Sequence, residues 1–152
     1  MSSLNEITTL LSAARTSAID DTKPVSDIEA EIFDLVSIFE ARLQHHFKRG
    51  PFFKKLRALL IENHQTTLAD SVHYYALAVN VLKHGTGASY RELKSTDNLP
   101  FKLLIPAANI RLIDVAKGSF YLGLVDTLDN AHSFLISRKV LSDVLAPPTS
   151  PP

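Results

Sequence analysis

Residues 26–43, SDIEAEIFDLVSIFEARL, decide the fold class of this chain. Their apolar side chains recur every three or four residues, a spacing that places them on one face of an α-helix. That face comprises Ile28, Ile32, Leu35, Val36, Phe39 and Leu43. Ser26 and Glu29 have the spacing of a capping box, which satisfies free backbone groups at a helix start. The stretch therefore predicts an amphipathic helix that stops before Gly50 and Pro51.

The same periodicity recurs on both sides of this helix. It predicts further helices over residues 4–19, 52–64, 67–84 and 125–145. In the 52–64 helix, Phe53, Leu56 and Leu60 are expected to face inward. Ser89 and Glu92 form a second capping pattern, which predicts a short helix ending near residue 94. Amphipathic helices with short connections are typical of an antiparallel helical bundle.

Residues 99–124 have a different pattern. Short apolar runs at 99–105 and 110–115, flanked by proline, asparagine and glycine, predict two short antiparallel strands, and 120–124 is a candidate third strand. We therefore expect a mainly α fold with a small β-hairpin-like insertion around residues 99–124. A single domain is predicted over residues 1–146, followed by a disordered proline-rich tail at 147–152.

The composition limits the function. The 152 residues carry 16 Lys and Arg against 16 Asp and Glu, so the formal net charge is zero. The absence of cysteine excludes disulfides, thiolate metal sites and cysteine nucleophiles. The longest apolar run, residues 74–79, is far shorter than the ~20 residues of a membrane span, and the polar N-terminus lacks a signal-peptide pattern. We expect a soluble cytoplasmic protein that has no membrane partner.

Common enzyme motifs are missing. The sequence has no GxSxG, HExxH or GxGxxG, so serine-hydrolase, zincin and dinucleotide-binding functions have no support. Asp126, Asp129 and His132 follow one another at three-residue steps, which would suit a metal ion. Carboxylates near the predicted start of the last helix favour helix capping instead. We predict neither a metal site nor a cofactor.

Charge is unevenly distributed along the chain. Residues 1–47 carry three basic and eight acidic side chains, whereas residues 48–102 carry nine basic and four acidic ones. The basic run at 45–57 contains five Lys and Arg interleaved with three Phe, a composition that resembles a single-strand nucleic-acid platform. The alternative is a buried aromatic face with Lys54, Lys55 and Arg57 on a solvated face. The charge split is equally compatible with segments or subunits that pair with each other.

The end of the 67–84 helix is the second candidate site. His73, Asn80 and His84 lie along one stripe, for which a polar outer face is the favoured interpretation at His73. Asn80, Lys83 and His84 are followed by Gly85 and a glycine-rich turn, whose backbone N–H groups can hold an anion. A plain turn between helices is the alternative interpretation.

Arg57 and His64 stand seven residues apart, which is two turns of a helix. An arginine that holds phosphate and a histidine that moves a proton are the groups needed to cleave RNA through its 2′-hydroxyl. His84 is a further candidate for the proton transfer.

The helix end Asn80-Val81-Leu82-Lys83-His84-Gly85, in a helical bundle, resembles the HEPN superfamily (higher eukaryote and prokaryote nucleotide-binding). The resemblance covers residues 26–90. It implies an all-α domain, often dimeric, that binds nucleotides or RNA and in active members cuts RNA without metal.

Three hypotheses follow. The first is a HEPN-like binding module, a homodimer that contacts nucleotide or RNA phosphate through Asn80, Lys83, His84 and the basic run. The second is a metal-independent ribonuclease that uses His64 or His84 with Arg57 or Lys83. The third is a non-enzymatic interaction or regulatory protein with a protein partner, in which the charge asymmetry joins segments or subunits.

Overall fold

The computed structural model describes residues 3–20, 22–44, 47, 50–106 and 111–137. Within these ranges the chain is mainly helical, as predicted. The helices are α1 (Ser3–Ile19), α2 (Val25–Leu43), α3 (Phe52–Glu62), α4 (Thr66–His84), α5 (Ala88–Lys94) and α6 (Ser119–Ser137). A short 3₁₀ turn, Ala116–Gly118, leads directly into α6.

The α2 helix buries the six apolar residues that define its predicted face. Its start differs from the prediction. The residue before the helix is Pro24, whose φ of −61° and ψ of 150° set the entry of the chain, and no described side chain caps the helix. Ser26 lies inside the first turn, so the predicted capping box with Glu29 is wrong.

The helices form a bundle around a shared apolar core. The α1 helix packs against α2 and α6, while α4 packs against α3, α5 and α6. The buried side chains form one cluster that extends from Ile7 in α1 to Leu135 in α6. The predicted helical bundle is therefore confirmed. None of the helices in the described ranges is long and apolar enough to cross a membrane.

The predicted β-hairpin-like insertion is wrong for the described part of residues 99–124. One isolated antiparallel bridge, between Leu103 and Ile113, is the extent of the pairing in that part. It is flanked by two backbone hydrogen bonds, from the Leu104 N–H to the Leu112 carbonyl at 2.7 Å and from the Asp114 N–H to the Lys102 carbonyl at 3.0 Å. Ile113 is fully buried, so the apolar run contributes to the core without forming a strand. Residues 107–109 of the connection between the two predicted strands lie outside the described residues.

The last helix begins six residues earlier than predicted. Residues 120–124, the candidate third strand, belong to α6, which starts at Ser119. Gly118, at φ 74°, ends the 3₁₀ turn and redirects the chain into the helix. Residues 138–145 of the predicted helix and the tail at 147–152 lie outside the described residues.

The acidic residues of α6 join it to α1. Arg15 forms ion pairs with Asp126 and Asp129. Both carboxylates lie well inside α6, so the predicted helix capping is wrong. His132 is buried. In the described part of the chain, no group of three or more His, Asp or Glu side chains is arranged to hold a metal ion.

Candidate functional site

A cavity of about 270 Å³ opens where α2, α3 and α4 meet. We call it the lysine cavity, because lysines from two helices line it. Its lining comprises Val36 and Glu40 of α2, residues 51–54 at the start of α3, and His73, Ala76, Leu77, Val79, Asn80 and Lys83 of α4. The cavity thus unites the basic run and the 67–84 helix, two candidates that are separate in the sequence.

Helical periodicity determines which side chains reach the lysine cavity. Val36 and Glu40 are four residues apart on α2, and His73, Leu77 and Asn80 follow each other at four- and three-residue steps on α4. Leu77 is buried, His73 is half-buried and Asn80 is exposed, and all three line the cavity.

The start of α3 contributes aromatic and basic side chains. Phe52 is fully buried, and Phe53, which was expected to face inward, is half-buried against it with ring centroids 4.9 Å apart. Lys54, the next residue, is exposed. Pro51 precedes the helix, and no described side chain caps the first-turn N–H groups. Such groups carry partial positive charge.

Neither lysine of the cavity has an acidic partner among the described residues. No carboxylate of those residues lies within ion-pair distance of Lys54 or Lys83. The Lys83 Nζ atom lies 5.8 Å from the centroid of the Phe33 ring, a cation–π contact that restrains the side chain. The cavity therefore has two cations available for an anionic ligand.

His73 also lines the lysine cavity. Its Nε2 atom lies 2.5 Å from Glu92 Oε2 of α5, and 21% of its side chain is exposed. The His73 side chain is thus partly exposed and pairs with an exposed carboxylate, an arrangement that fits a polar outer face as well as a cavity lining. Glu92 was predicted to cap α5 together with Ser89, but that helix begins at Ala88 without a cap from any described side chain. Instead, Glu92 binds the imidazole.

A second cavity, of about 230 Å³, lies beside the glycine-rich turn. We call it the glycine-loop cavity. It is lined by Asn80, His84, Gly85, Gly87, Ala88 and Ser89. The Asn80 Nδ2 atom lies 3.5 Å from Ser89 Oγ, and Asn80 borders both cavities. The predicted group Asn80, Lys83, His84 and Gly85 is thus divided, because Lys83 faces the lysine cavity and His84 faces the glycine-loop cavity.

Three predicted site residues line neither of these cavities. The α3 helix ends at Glu62, and His64 follows it in the left-handed region at φ 64° with its side chain exposed. The predicted two-turn helical relationship between Arg57 and His64 is therefore wrong. Arg57 is half-buried on α3. Lys55 is exposed, and its side chain passes over Gly50.

Two residues of the lysine cavity are not evident from the sequence as site residues. Glu40 is half-buried. In the sequence, its position directly after the apolar Phe39 is the feature that could have indicated a partly buried carboxylate. His73 stands seven residues before Asn80, so the sequence places the two side chains on the same face of α4. That spacing does not tell whether the face is exposed or lines a cavity.

Comparison of the chain with protein-family models, with curated proteins and with solved structures finds no match. The chemistry of the two cavities is therefore what indicates a function.

Proposed function

We propose that this chain is a HEPN-like helical-bundle module that binds the phosphate of a nucleotide or of RNA in the lysine cavity. One observation carries the proposal: Lys54 and Lys83, on different helices, line the same cavity without a carboxylate partner among the described residues. Two lysines that line one open cavity attract a ligand with two or more negative charges.

The surroundings of the lysines support a phosphate ligand. Asn80 offers amide N–H donors from the wall of the cavity. The start of α3 adds partial positive charge near Lys54. Phe53 provides an aromatic surface beside the cations, and this combination is typical of sites that bind single-stranded nucleic acid.

The binding of a labelled single-stranded RNA at 50 mM and 200 mM salt tests this proposal. Two phosphate contacts on single-stranded RNA predict that affinity falls about sevenfold over this range. Lys54→Ala and Lys83→Ala should each weaken binding and flatten the salt dependence. Lys94→Ala is the matched control, because Lys94 is exposed on α5 and does not line the cavity. An affinity that is absent at 50 mM salt, or equal in all variants, contradicts the proposal.

The HEPN resemblance further implies a homodimer, which we include in the proposal. Light scattering at low and high salt measures the molar mass of the protein in solution directly. A monomer at every protein concentration contradicts the proposed homodimer. A salt-sensitive dimer with no RNA affinity would support the interaction-protein hypothesis instead.

A second candidate function is metal-independent RNA cleavage, and the His73–Glu92 pair favours it. A carboxylate that orients an imidazole beside phosphate-binding lysines is a general acid–base arrangement. Incubation of RNA with the protein and a chelator tests for cleavage. Loss of turnover in His73→Ala, with turnover retained in His64→Ala and His84→Ala, would place the reaction in the lysine cavity. Loss in His84→Ala alone would place it in the glycine-loop cavity.

A further inference from the structure

A cation-lined cavity that only holds phosphate has no need of a carboxylate, yet the lysine cavity has one. Glu40 is half-buried in its wall. Among the described residues, no Lys, Arg or His nitrogen lies within ion-pair distance of its oxygens. Its charge weakens the attraction for an anion, but a carboxylate also accepts hydrogen bonds from a neutral group of the ligand.

We propose that the lysine cavity selects guanine nucleotides, with Glu40 accepting hydrogen bonds from the base while Lys54 and Lys83 hold the phosphate. This inference rests on the proposed function and names its ligand class. Guanine presents two neighbouring donors, N1–H and the N2 amino group, in a fork that matches the two oxygens of a carboxylate. Hydrogen bonds to an ionised acceptor are stronger than neutral ones, especially when they are bidentate.

The other bases fit Glu40 less well. Adenine and cytosine each place a ring-nitrogen acceptor beside their single amino group, and that lone pair would face the carboxylate. Uracil has one N–H between two carbonyl oxygens, which repel a negative charge on either side. Guanine is therefore the base whose hydrogen-bonding edge complements this side chain.

The rest of the lining suits a flat aromatic base. Phe53 is only half-buried, and Ala76 and Leu77 supply apolar contacts on the wall formed by α4. Stacking on an aromatic ring stabilises any base, whichever hydrogen-bonding groups it carries. We therefore assign affinity to Phe53 and the lysines, and selectivity to Glu40.

Calorimetric titration of the full chain with GMP, AMP and inorganic phosphate tests the inference. GMP should bind about 5- to 150-fold more tightly than AMP, which is the range of discrimination by one bidentate base contact. Glu40→Gln should remove the preference for GMP without weakening AMP binding, because the variant loses both the carboxylate fork and a negative charge that opposes the phosphate. Glu62→Gln is the control, because Glu62 is exposed at the end of α3 and does not line the cavity.

The outcomes separate this inference from the proposed function. Equal affinity for GMP and AMP, or a GMP preference that survives in Glu40→Gln, overturns the selectivity while phosphate binding stands. Inorganic phosphate that binds as tightly as GMP also overturns it, because the base would then contribute nothing. If neither nucleotides nor RNA bind, the proposed function itself fails.

Discussion

Gly118 lies directly against the carbonyl oxygen of Ala18, the penultimate residue of α1. A Cβ atom at Gly118 would be 2.2 Å from that oxygen, and the residue has a φ of 74°. Both the contact and the backbone conformation require glycine. This close approach joins the end of α1 to the turn that starts α6.

Gly118→Ala should therefore destabilise the fold strongly. The left-handed conformation alone costs about 1–2 kcal/mol for a residue with a side chain, and the clash with backbone adds to it. Gly87→Ala is the control, because no described atom lies within 4 Å of the position that its Cβ would take, and its backbone is extended. We expect that control to cost about 1 kcal/mol or less. Urea unfolding measures the free energy of unfolding of both variants. Equal losses of stability in Gly118→Ala and Gly87→Ala would contradict the close approach.

Gly123 and Tyr75 are predicted to be energetically coupled. A Cβ atom at Gly123 would lie 2.0 Å from the Tyr75 hydroxyl. Gly→Ala inside a helix normally stabilises by up to about 1 kcal/mol, whereas Gly123→Ala should destabilise. Adding Tyr75→Phe removes the hydroxyl and should recover part of the lost stability, because the ring carbon that carried it remains 3.0 Å from the Cβ position. Additive effects in the double mutant, measured by urea unfolding, would show that the two residues do not touch.

His132 should make the fold less stable in mild acid. The residue is 3% exposed, and its Nε2 atom has no hydrogen-bond partner among the described residues. Burial lowers the pKa of His132, although the nearby Asp129 carboxylate partly opposes the effect. The unfolded chain takes up this proton near pH 6.5 and the folded chain only at lower pH, so the free energy of unfolding falls as pH drops below about 6.5.

The variant that tests this is His132→Leu, which removes the titrating group and keeps the site apolar. It should lose less stability than the wild type between pH 7 and pH 5.5, where one proton contributes at most about 1.4 kcal/mol per pH unit. His84→Gln, at an exposed position, should behave like the wild type. If the pH profile of His132→Leu follows that of the wild type, another group causes the acid sensitivity.

Glu31 links three elements through hydrogen bonds. Its carboxylate accepts bonds from Ser17 and Lys23 and from Tyr121 of α6. Burial by itself would raise the pKa of Glu31, but these bonds outweigh it and lower the pKa below its ordinary value. Glu31→Ala should cost about 1–3 kcal/mol, because the buried Tyr121 hydroxyl loses its acceptor. Glu31→Ala should cost less in a Tyr121→Phe background, and an equal cost in both backgrounds would contradict the link.

The sequence pattern predicts the helices well where the apolar period is long. The stripe of α2 extends from Ile28 to Leu43, and all six of its members are buried. The pattern fails at residues 120–124, because five apolar-rich residues have no clear period. These residues can be assigned to the first part of α6 only once it is known that the preceding turn ends at Gly118.

The sequence identified several residues of the candidate site, but it could not predict how those residues are arranged in space. Lys54 was identified from the basic run and Lys83 from the helix end before Gly85, yet their place in one cavity depends on how α3 packs against α4. The pairing of Arg57 with His64 assumed a helix that continues past Glu62. Asn63 ends that helix by folding its side chain back to the Leu59 carbonyl at 2.8 Å, a local contact that periodicity does not report.

The most direct test of nucleotide binding in the lysine cavity is an NMR titration of the ¹⁵N-labelled chain with GMP. We predict that the largest amide shifts occur at Phe53, Lys54, Ala76 and Asn80, around the cavity. We also predict that these shifts are much smaller in the Lys54→Ala, Lys83→Ala double variant. Shifts that cluster at Gly85 and Gly87, at a remote surface, or nowhere would contradict this prediction.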